Sequence, residues 1–301
     1  MTRTPQIGLL PDGRRLHLQD GPIDLILEGF GQPAAVRAAY AAAVSRFATI
    51  LDELCDELPS LRAATVPGYC PLRGVVSRRM HDAVEPFAGE GFITPMAAVA
   101  GAVADEILGT MVGVGPLKRA YVNDGGDIAL HLAPGTSFVV GMIDRPDQPS
   151  LFGTATLRAE DPVRGIATSG CRGRSFSLGI ADAVTVLAGT AAAADAAATV
   201  IANVVDLPGH PGILRVPASD LQPDSDLGVR AVTRHVDKLT LSEVADALAA
   251  GVACAQSLRE RGLVQAAALH LQGQTRTVGH PEHDGQLPRH AFANAKALVH
   301  G

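Results

Sequence analysis

The chain has 301 residues, a formal net charge of −6 at pH 7 and a pI near 5.9. That balance argues against a nucleic-acid partner, which a basic patch and a high pI would announce. With 4% aromatics and no tryptophan there is also little material for stacking bases. Apolar residues make up 47% and charged ones 19%, enough to bury a substantial core. No uncharged apolar run reaches the ~18 residues of a membrane span, so no membrane partner is expected. Residues 1–20 lack the apolar stretch of a secretory signal. Cys55, Cys70, Cys171 and Cys254 lie far apart without a CxxC pair, so reduced thiols in a cytoplasmic protein are expected.

Strands are expected first, over residues 14–19 and 22–29, where apolar and polar side chains partly alternate. Residues 34–58 switch to helical period through Val36, Tyr40, Val44, Phe47 and Leu51, and Pro59 closes that helix. Residues 59–74 read as irregular, and a short helix follows over 77–87. Two alanine-rich helices are expected over 95–111 and 190–206. Between them, strands are read over 120–123, 127–132, 137–143 and 152–159, with further β-like sequence running to Gly189. Residues 208–226 look loop-like and 229–236 strand-like. Thr240-x-x-Glu243 is a capping-box start for a helix ending near Gly262, and a hairpin follows with its turn at Gly273-Gln274. From Gly279 the sequence is polar, a flexible tail over 280–301. No repeat or linker cuts the chain. It reads as a single α+β domain over 1–301, or two intimately packed α+β halves, with antiparallel or mixed sheets and packed alanine-rich helices.

Asp195 is the one charge inside the second alanine-rich helix, and Thr199 and Asn203 follow at four-residue intervals on the same face. A buried carboxylate is costly without a partner, and a hard cation such as Mg²⁺ is a natural one for carboxylate, hydroxyl and carbonyl oxygens. The spacing fits a solvent-facing polar stripe at least as well. Asn123-Asp124-Gly125-Gly126-Asp127 places paired glycines between two strands, where backbone N–H groups can approach an anion or a flat ring. It equally fits an ordinary hairpin turn. Thr168, Ser169, Gly170 and Arg172 supply hydroxyls, a glycine and a cation suited to phosphate, or simply a polar surface loop.

Taken in order, AVAGAVAD (98–105), AYVNDGGDI (120–128), IATSG (166–170), AVTVLAGT (183–190) and ADAAAT (194–199) resemble the ApbE-like superfamily. Its best-known members are Mg²⁺-dependent FAD:protein FMN transferases. The resemblance implies metal ligation by Asp195, Thr199 and the carbonyl of Ala198. It sets Asn123, Gly125, Gly126 and Asp127 near the nucleotide and matches Ser169 and Gly170 to the family's Ser-Gly segment. It further implies an α+β fold holding FAD between its halves, with the metal at the diphosphate. Three family features are missing: a Met-Gly-Thr motif near the start, a lysine at the position of Ala100, and a segment bearing a catalytic histidine. No histidine lies between Ser169 and Asp206, so the pattern is that of a compact, uncharacterised branch.

The expectation is therefore a protein that binds a flavin nucleotide with Mg²⁺. It would transfer FMN to an acceptor flavoprotein, cleave the FAD diphosphate, or bind without catalysis, and a homo-oligomer is compatible with any of these. No catalytic residue can be named. A competing cluster, His280, Glu282, His283, Asp284 and His290, has no recognised zinc spacing and reads as a solvated loop. His131 and His235 read as structural histidines, and Cys171 as an inert thiol despite Arg172 beside it.

Overall fold

The structure is a computed structural model, describing residues 4–143 and 151–279. The histidine cluster of 280–290 lies outside the described residues. Nine strands form one antiparallel sheet. Strands β1 (Gln6–Leu9), β2 (Leu16–Asp20) and β3 (Ile23–Gly31) open it. Helix α1 (Pro33–Asp56) and two shorter helices, α2 (Leu58–Leu61) and α3 (Val75–Val84), come next. Helix α4 (Val99–Gly113) leads to β4 (Leu117–Asp124) and β5 (Asp127–Leu132).

A separate hairpin, β6 (Ser137–Ile143) and β7 (Leu151–Arg158), interrupts before β8 (Gly165–Ser169) and β9 (Ala183–Ala188) resume the main sheet. Helix α5 (Ala191–Val204) follows, then the small pair β10 (Ile213–Pro217) and β11 (Ala231–Val236) with α6 (Ala218–Leu221) between them. Helix α7 (Leu241–Glu260) and the hairpin β12 (Ala266–Leu271) and β13 (Gln274–Val278) complete the described chain.

Sheet order is β1-β2-β3-β4-β5-β8-β9-β12-β13. Leaving out β1 and the insertions, each half is hairpin, helix, helix, hairpin: β2-β3-α1-α4-β4-β5, then β8-β9-α5-α7-β12-β13. The halves join where β5 pairs with β8 through Ile128↔Ile166 and Ala129↔Gly165. Helices α1, α4, α5 and α7 lie side by side on one face of the sheet.

Alternation along the strands divides the core. Ala129, Ala167, Val186 and Ala267 face the helices, while Leu130, Ile166, Leu187 and Ala266 face the β6–β7 side with Phe138 and Val140. Strands β9 and β12 are buried at every position, so both their faces are covered. Helix α1 starts at Pro33 and buries Ala39, Ala43, Phe47, Ile50 and Leu54, an i, i+3, i+4 series that makes one apolar stripe. Helices Pro33–Asp56 and Pro95–Gly113 are each long and apolar enough, on composition alone, to cross a membrane. In this fold both pack against neighbouring elements.

The sequence reading misplaces a few elements. Residues 213–217 form β10 rather than loop, because Ile213 and Val216 pair with Val236 and Val232 of β11 across a long connection. Residues 175–179 form no strand. Residues 95–98 form a 3-10 turn, and the α-helix begins at Val99. The last hairpin turns one residue early, on Gln272 (φ 43°) and Gly273 (φ 84°), since Leu271 pairs with Gln274. The expected capping box is present: Thr240 Oγ1 accepts from the Glu243 N–H at 3.3 Å, and Glu243 Oε2 accepts from the Thr240 N–H at 2.7 Å.

Candidate functional site

Helix α5 runs through the middle of the molecule, and glycines on its neighbours let it sit there. A Cβ at Gly101 of α4 would collide with the carbonyl of Ala191, and one at Gly165 of β8 would strike the Thr190 carbonyl. A Cβ at Gly179 would meet the Ala202 carbonyl. Ala191, Ala192, Ala194, Ala196, Ala197, Ala198 and Ala202 are all buried. The alanine-rich composition thus serves close backbone packing.

Within this packing α4 and α5 cap each other. Asp105 of α4 accepts the N–H groups of Ala191 and Ala192, at 3.1 and 2.9 Å, at the start of α5. Asp195 of α5 accepts the Gly101 N–H at 3.1 Å, at the start of α4. Each carboxylate lies at the positive end of the opposing helix dipole and satisfies donors that a helix start otherwise leaves orphaned. Burial nevertheless raises the pKa of Asp105, with the two amide bonds opposing it.

The β4–β5 turn lies against this junction. Gly125 (φ 62°) and Gly126 (φ 115°) turn between Asp124 and Asp127, which are paired in the strand register. Asn123 Oδ1 accepts from the Gly126 N–H at 2.8 Å and fixes the turn. Asp127 Oδ1 accepts from the Thr168 N–H at 3.2 Å, and the Thr168 hydroxyl contacts that of Thr185 at 2.9 Å. Asp124 Oδ1 accepts weakly from the Asp24 N–H.

Three carboxylates, two from the β4–β5 turn and one from α5, feel one another here. Desolvation pushes Asp124 up to about 7, opposed by the Asp24 N–H and the charge of Arg174. Desolvation raises Asp127 as well, and the Asp124 charge adds to it. Asp195 lies well above the ordinary carboxylate range, first through desolvation and then through the charge of Asp127. The nearby cation is Arg174, which approaches so closely over Gly125 that a side chain there would overlap its guanidinium.

The remaining sequence-predicted residues divide. Thr199 lies one turn beyond Asp195 on α5 and is partly exposed. Ala198 is fully buried inside α5, where its carbonyl belongs to the helical hydrogen-bond ladder and only its second lone pair is open. Asn203 is no part of this group: its Oδ1 accepts the Leu178 N–H at 2.9 Å and holds the loop that follows β8. Gly170, with φ 152°, sits where a Cβ would press on the Asp182 carbonyl. Ser169 ends β8 beside it. Arg172 Nε pairs with Asp182 Oδ1 at 3.2 Å, and the other Asp182 oxygen accepts from the Gln272 N–H at 2.6 Å.

Sequence reasoning missed Asp124, Asp105, Gly101, Arg174 and Asp182. The first three lie inside motifs already singled out, and only their spatial partners reveal their roles. His131 bonds the Leu117 carbonyl at 3.1 Å, and His235 pairs with the Asp237 carboxylate at 3.0 Å on the exposed surface. The Cys171 thiol donates to the Ile180 carbonyl, and no disulfide forms among the described residues.

Fold and site together define an α+β protein of two hairpin–helix–helix–hairpin halves, with a partly buried acidic group where the halves meet. A family model described as AbpE bacteria matches residues 7–277, and the chain belongs to that family. Among curated proteins it is similar to a UPF0280 protein of Methanopyrus kandleri, 37% identical over 56% of this chain and 65% of that protein. It is also 40% identical to a UPF0280 protein of Methanococcoides burtonii, over 40% of this chain and 49% of the relative. The chain thus spans less than two thirds of the length of these relatives. Among solved structures, the apo flavinyl transferase ApbE of Pseudomonas stutzeri aligns over 92% of this chain and 94% of its own at 12% identity and a TM-score of 0.41. The ApbE protein of Thermotoga maritima aligns over 69% and 88% at 15% identity and a TM-score of 0.40.

Proposed function

We propose that this protein binds a flavin nucleotide, FAD, together with Mg²⁺, at the group formed by Asp124, Asp127, Asp195 and Thr199. The observation that carries the reading is that three carboxylates from β4, β5 and α5, Asp124 buried and Asp127 and Asp195 half-buried, lie near enough for their charges to raise one another's pKa values. Like charges brought together out of water are costly, and the cost is relieved by protons or by a cation. Among the described residues no three His, Cys, Asp or Glu side chains enclose a metal by themselves. Further oxygens would therefore come from the Thr199 hydroxyl, the Ala198 carbonyl and the ligand's own phosphates. An all-oxygen donor set suits a hard cation that keeps part of its shell for substrate.

Bound there, Mg²⁺ would supply charge neutralisation for a diphosphate. The protein's own part is to position: Asp195 is fixed by the Gly101 N–H, Asp127 by the Thr168 N–H, and the Gly125-Gly126 turn by Asn123. Asn123, Gly125, Gly126, Thr168, Ser169 and Gly170 would line the nucleotide side, and Arg174 would face its phosphates in place of the salt-bridged Arg172. Two reactions suit such a site, FMN transfer to a serine or threonine of an acceptor flavoprotein and hydrolysis to FMN and AMP. A second reading, binding without catalysis, is favoured by one observation: residues 170–182, between β8 and β9, carry no histidine or lysine to act as a base.

The test measures FAD affinity by calorimetry with Mg²⁺ and with EDTA, and follows FMN and AMP by chromatography. Expected is binding at least tenfold tighter with Mg²⁺ and loss of that difference in Asp127→Asn and Thr199→Val, each checked for an unchanged fold by circular dichroism. Equal affinity with and without Mg²⁺ in the unaltered protein overturns the proposal. Tight binding without AMP release selects the non-catalytic reading.

A further inference from the structure

On the outer side of the helical layer, α3 and the start of α5 line an open surface groove of about 520 Å³. Three arginines line it, Arg73, Arg78 and Arg79, against one carboxylate, Asp82. The volume is that of a small-molecule site, and none of its lining residues belongs to the acidic group above. Nearby carboxylates are already committed. Glu106 takes Arg46 at 2.7 Å and Arg79 at 2.9 Å, while Glu57 accepts the backbone N–H groups of Arg73 and Gly74. Asp82 is 75% exposed and turned toward His81.

Arg73 and Arg78 are exposed, and Arg79 is anchored by Glu106 and by the Ala102 carbonyl, so one guanidinium is fixed and two can close on a ligand. Thr190, Ala192 and Ala193 form the opposite wall. The Ala191 and Ala192 N–H groups point to Asp105, and the Ala193 N–H to the Thr190 hydroxyl. Recognition here is therefore by guanidinium groups and not by a bare helix end. The apolar walls, Ala83, Val75 and the two alanines, suit a body attached to the charged group.

We infer that this groove is a second ligand site, for a small molecule bearing a phosphate or diphosphate, bound by Arg73, Arg78 and Arg79. Planar forked donors match the paired oxygens of a phosphoryl group, and Arg73 and Arg78, against the single carboxylate Asp82, leave the lining net positive beyond the Arg79–Glu106 ion pair, which favours an oxyanion. The inference stands apart from the flavin proposal, since it needs neither Mg²⁺ nor the aspartates.

The experiment titrates the full chain with sodium pyrophosphate in EDTA at constant ionic strength, by calorimetry and thermal shift. Sodium citrate and sodium chloride serve as parallel titrants. Expected is saturable pyrophosphate binding with a raised Tm, weakened at least tenfold in the doubly substituted R73A/R78A protein, whose Mg²⁺-dependent FAD binding stays as in the parent. Both side chains are exposed, so the fold should persist, and circular dichroism checks it. Three results overturn the inference: no saturable binding, binding undiminished in R73A/R78A, or citrate binding more tightly than pyrophosphate. Pyrophosphate binding lost in Asp195→Asn but kept in R73A/R78A would assign the ion to the acidic site and reject this one.

Discussion

Asp105 and Asp195 stand in a reciprocal relationship: each belongs to one of two neighbouring helices and caps the start of the other. The exchange pins α4 to α5 at the boundary between the two halves of the sheet. It also gives Asp195 a structural duty besides any ligand it holds. Replacing Asp195 by alanine would disturb α4 as well as a metal, so loss of binding in that variant alone would say little.

Asp105→Ala removes the acceptor of two buried N–H groups. Stability should fall by about 2–4 kcal/mol, the sum of two orphaned donors at ~1–2 kcal/mol each. Urea denaturation measures it. A change under about 0.5 kcal/mol would show that water replaces the carboxylate and that the cap is dispensable.

Two alanine substitutions in α4 should have opposite signs. Gly101→Ala drives a methyl into the Ala191 carbonyl and should cost at least ~2 kcal/mol or prevent folding. Gly109→Ala meets nothing within 4 Å and should gain ~0.5–1 kcal/mol from helix propensity. Thermal melts of the pair decide it, and equal melting points would refute the close packing described for α5.

The acidic group gives the metal-free protein an unusual pH dependence. Asp124, Asp127 and Asp195 all have folded pKa values raised by desolvation, to about 7 for Asp124. Between the ordinary carboxylate range and that value the folded state holds more protons than the unfolded state, so stability declines as pH rises. The decline is up to about 1.4 kcal/mol per pH unit for each group. Melting temperature in EDTA should therefore drop from pH 5 to pH 8, and Mg²⁺ should restore it mainly at the upper end. A flat profile, or one rising with pH in EDTA, would contradict the desolvated cluster.

Asn203→Ala should loosen the loop after β8 and leave α5 intact. It strips the Leu178 N–H of its acceptor, at a cost of ~1–3 kcal/mol. Hydrogen exchange should quicken over residues 176–180 and stay slow in α5. Protection unchanged in that loop would mean Asn203 does not hold it.

How much of this was readable from the residues alone follows the range of the interactions. The capping box at Thr240 and the helical period that begins near residue 34 were legible because each is settled within a few positions. The strands 127–132 and 137–143 were readable for the same reason. Asn123-Asp124-Gly125-Gly126-Asp127 announced a tight turn because only glycine readily takes the positive φ found at Gly125. Strand β10 was not legible, since its partner β11 lies beyond a connection of irregular sequence and supplies the pairing that local pattern lacks.

The polar positions of α5 show the same division more sharply. Spacing put Asp195, Thr199 and Asn203 on one helical face, and helix geometry alone guarantees that. What each does was decided by what packs against that face: a helix start for Asp195 and a loop amide for Asn203. Sequence also placed Asp127 in a turn, but nothing local brings it near Asp195. That meeting requires β5 to pair with β8 and α5 to settle on glycine-lined neighbours, and the desolvation that raises three carboxylates together arises only once the halves have closed on each other. Local sequence fixed which groups were available, through backbone preference and periodicity. Long-range packing fixed which of them share one dielectric environment, because burial is a property of the assembled fold.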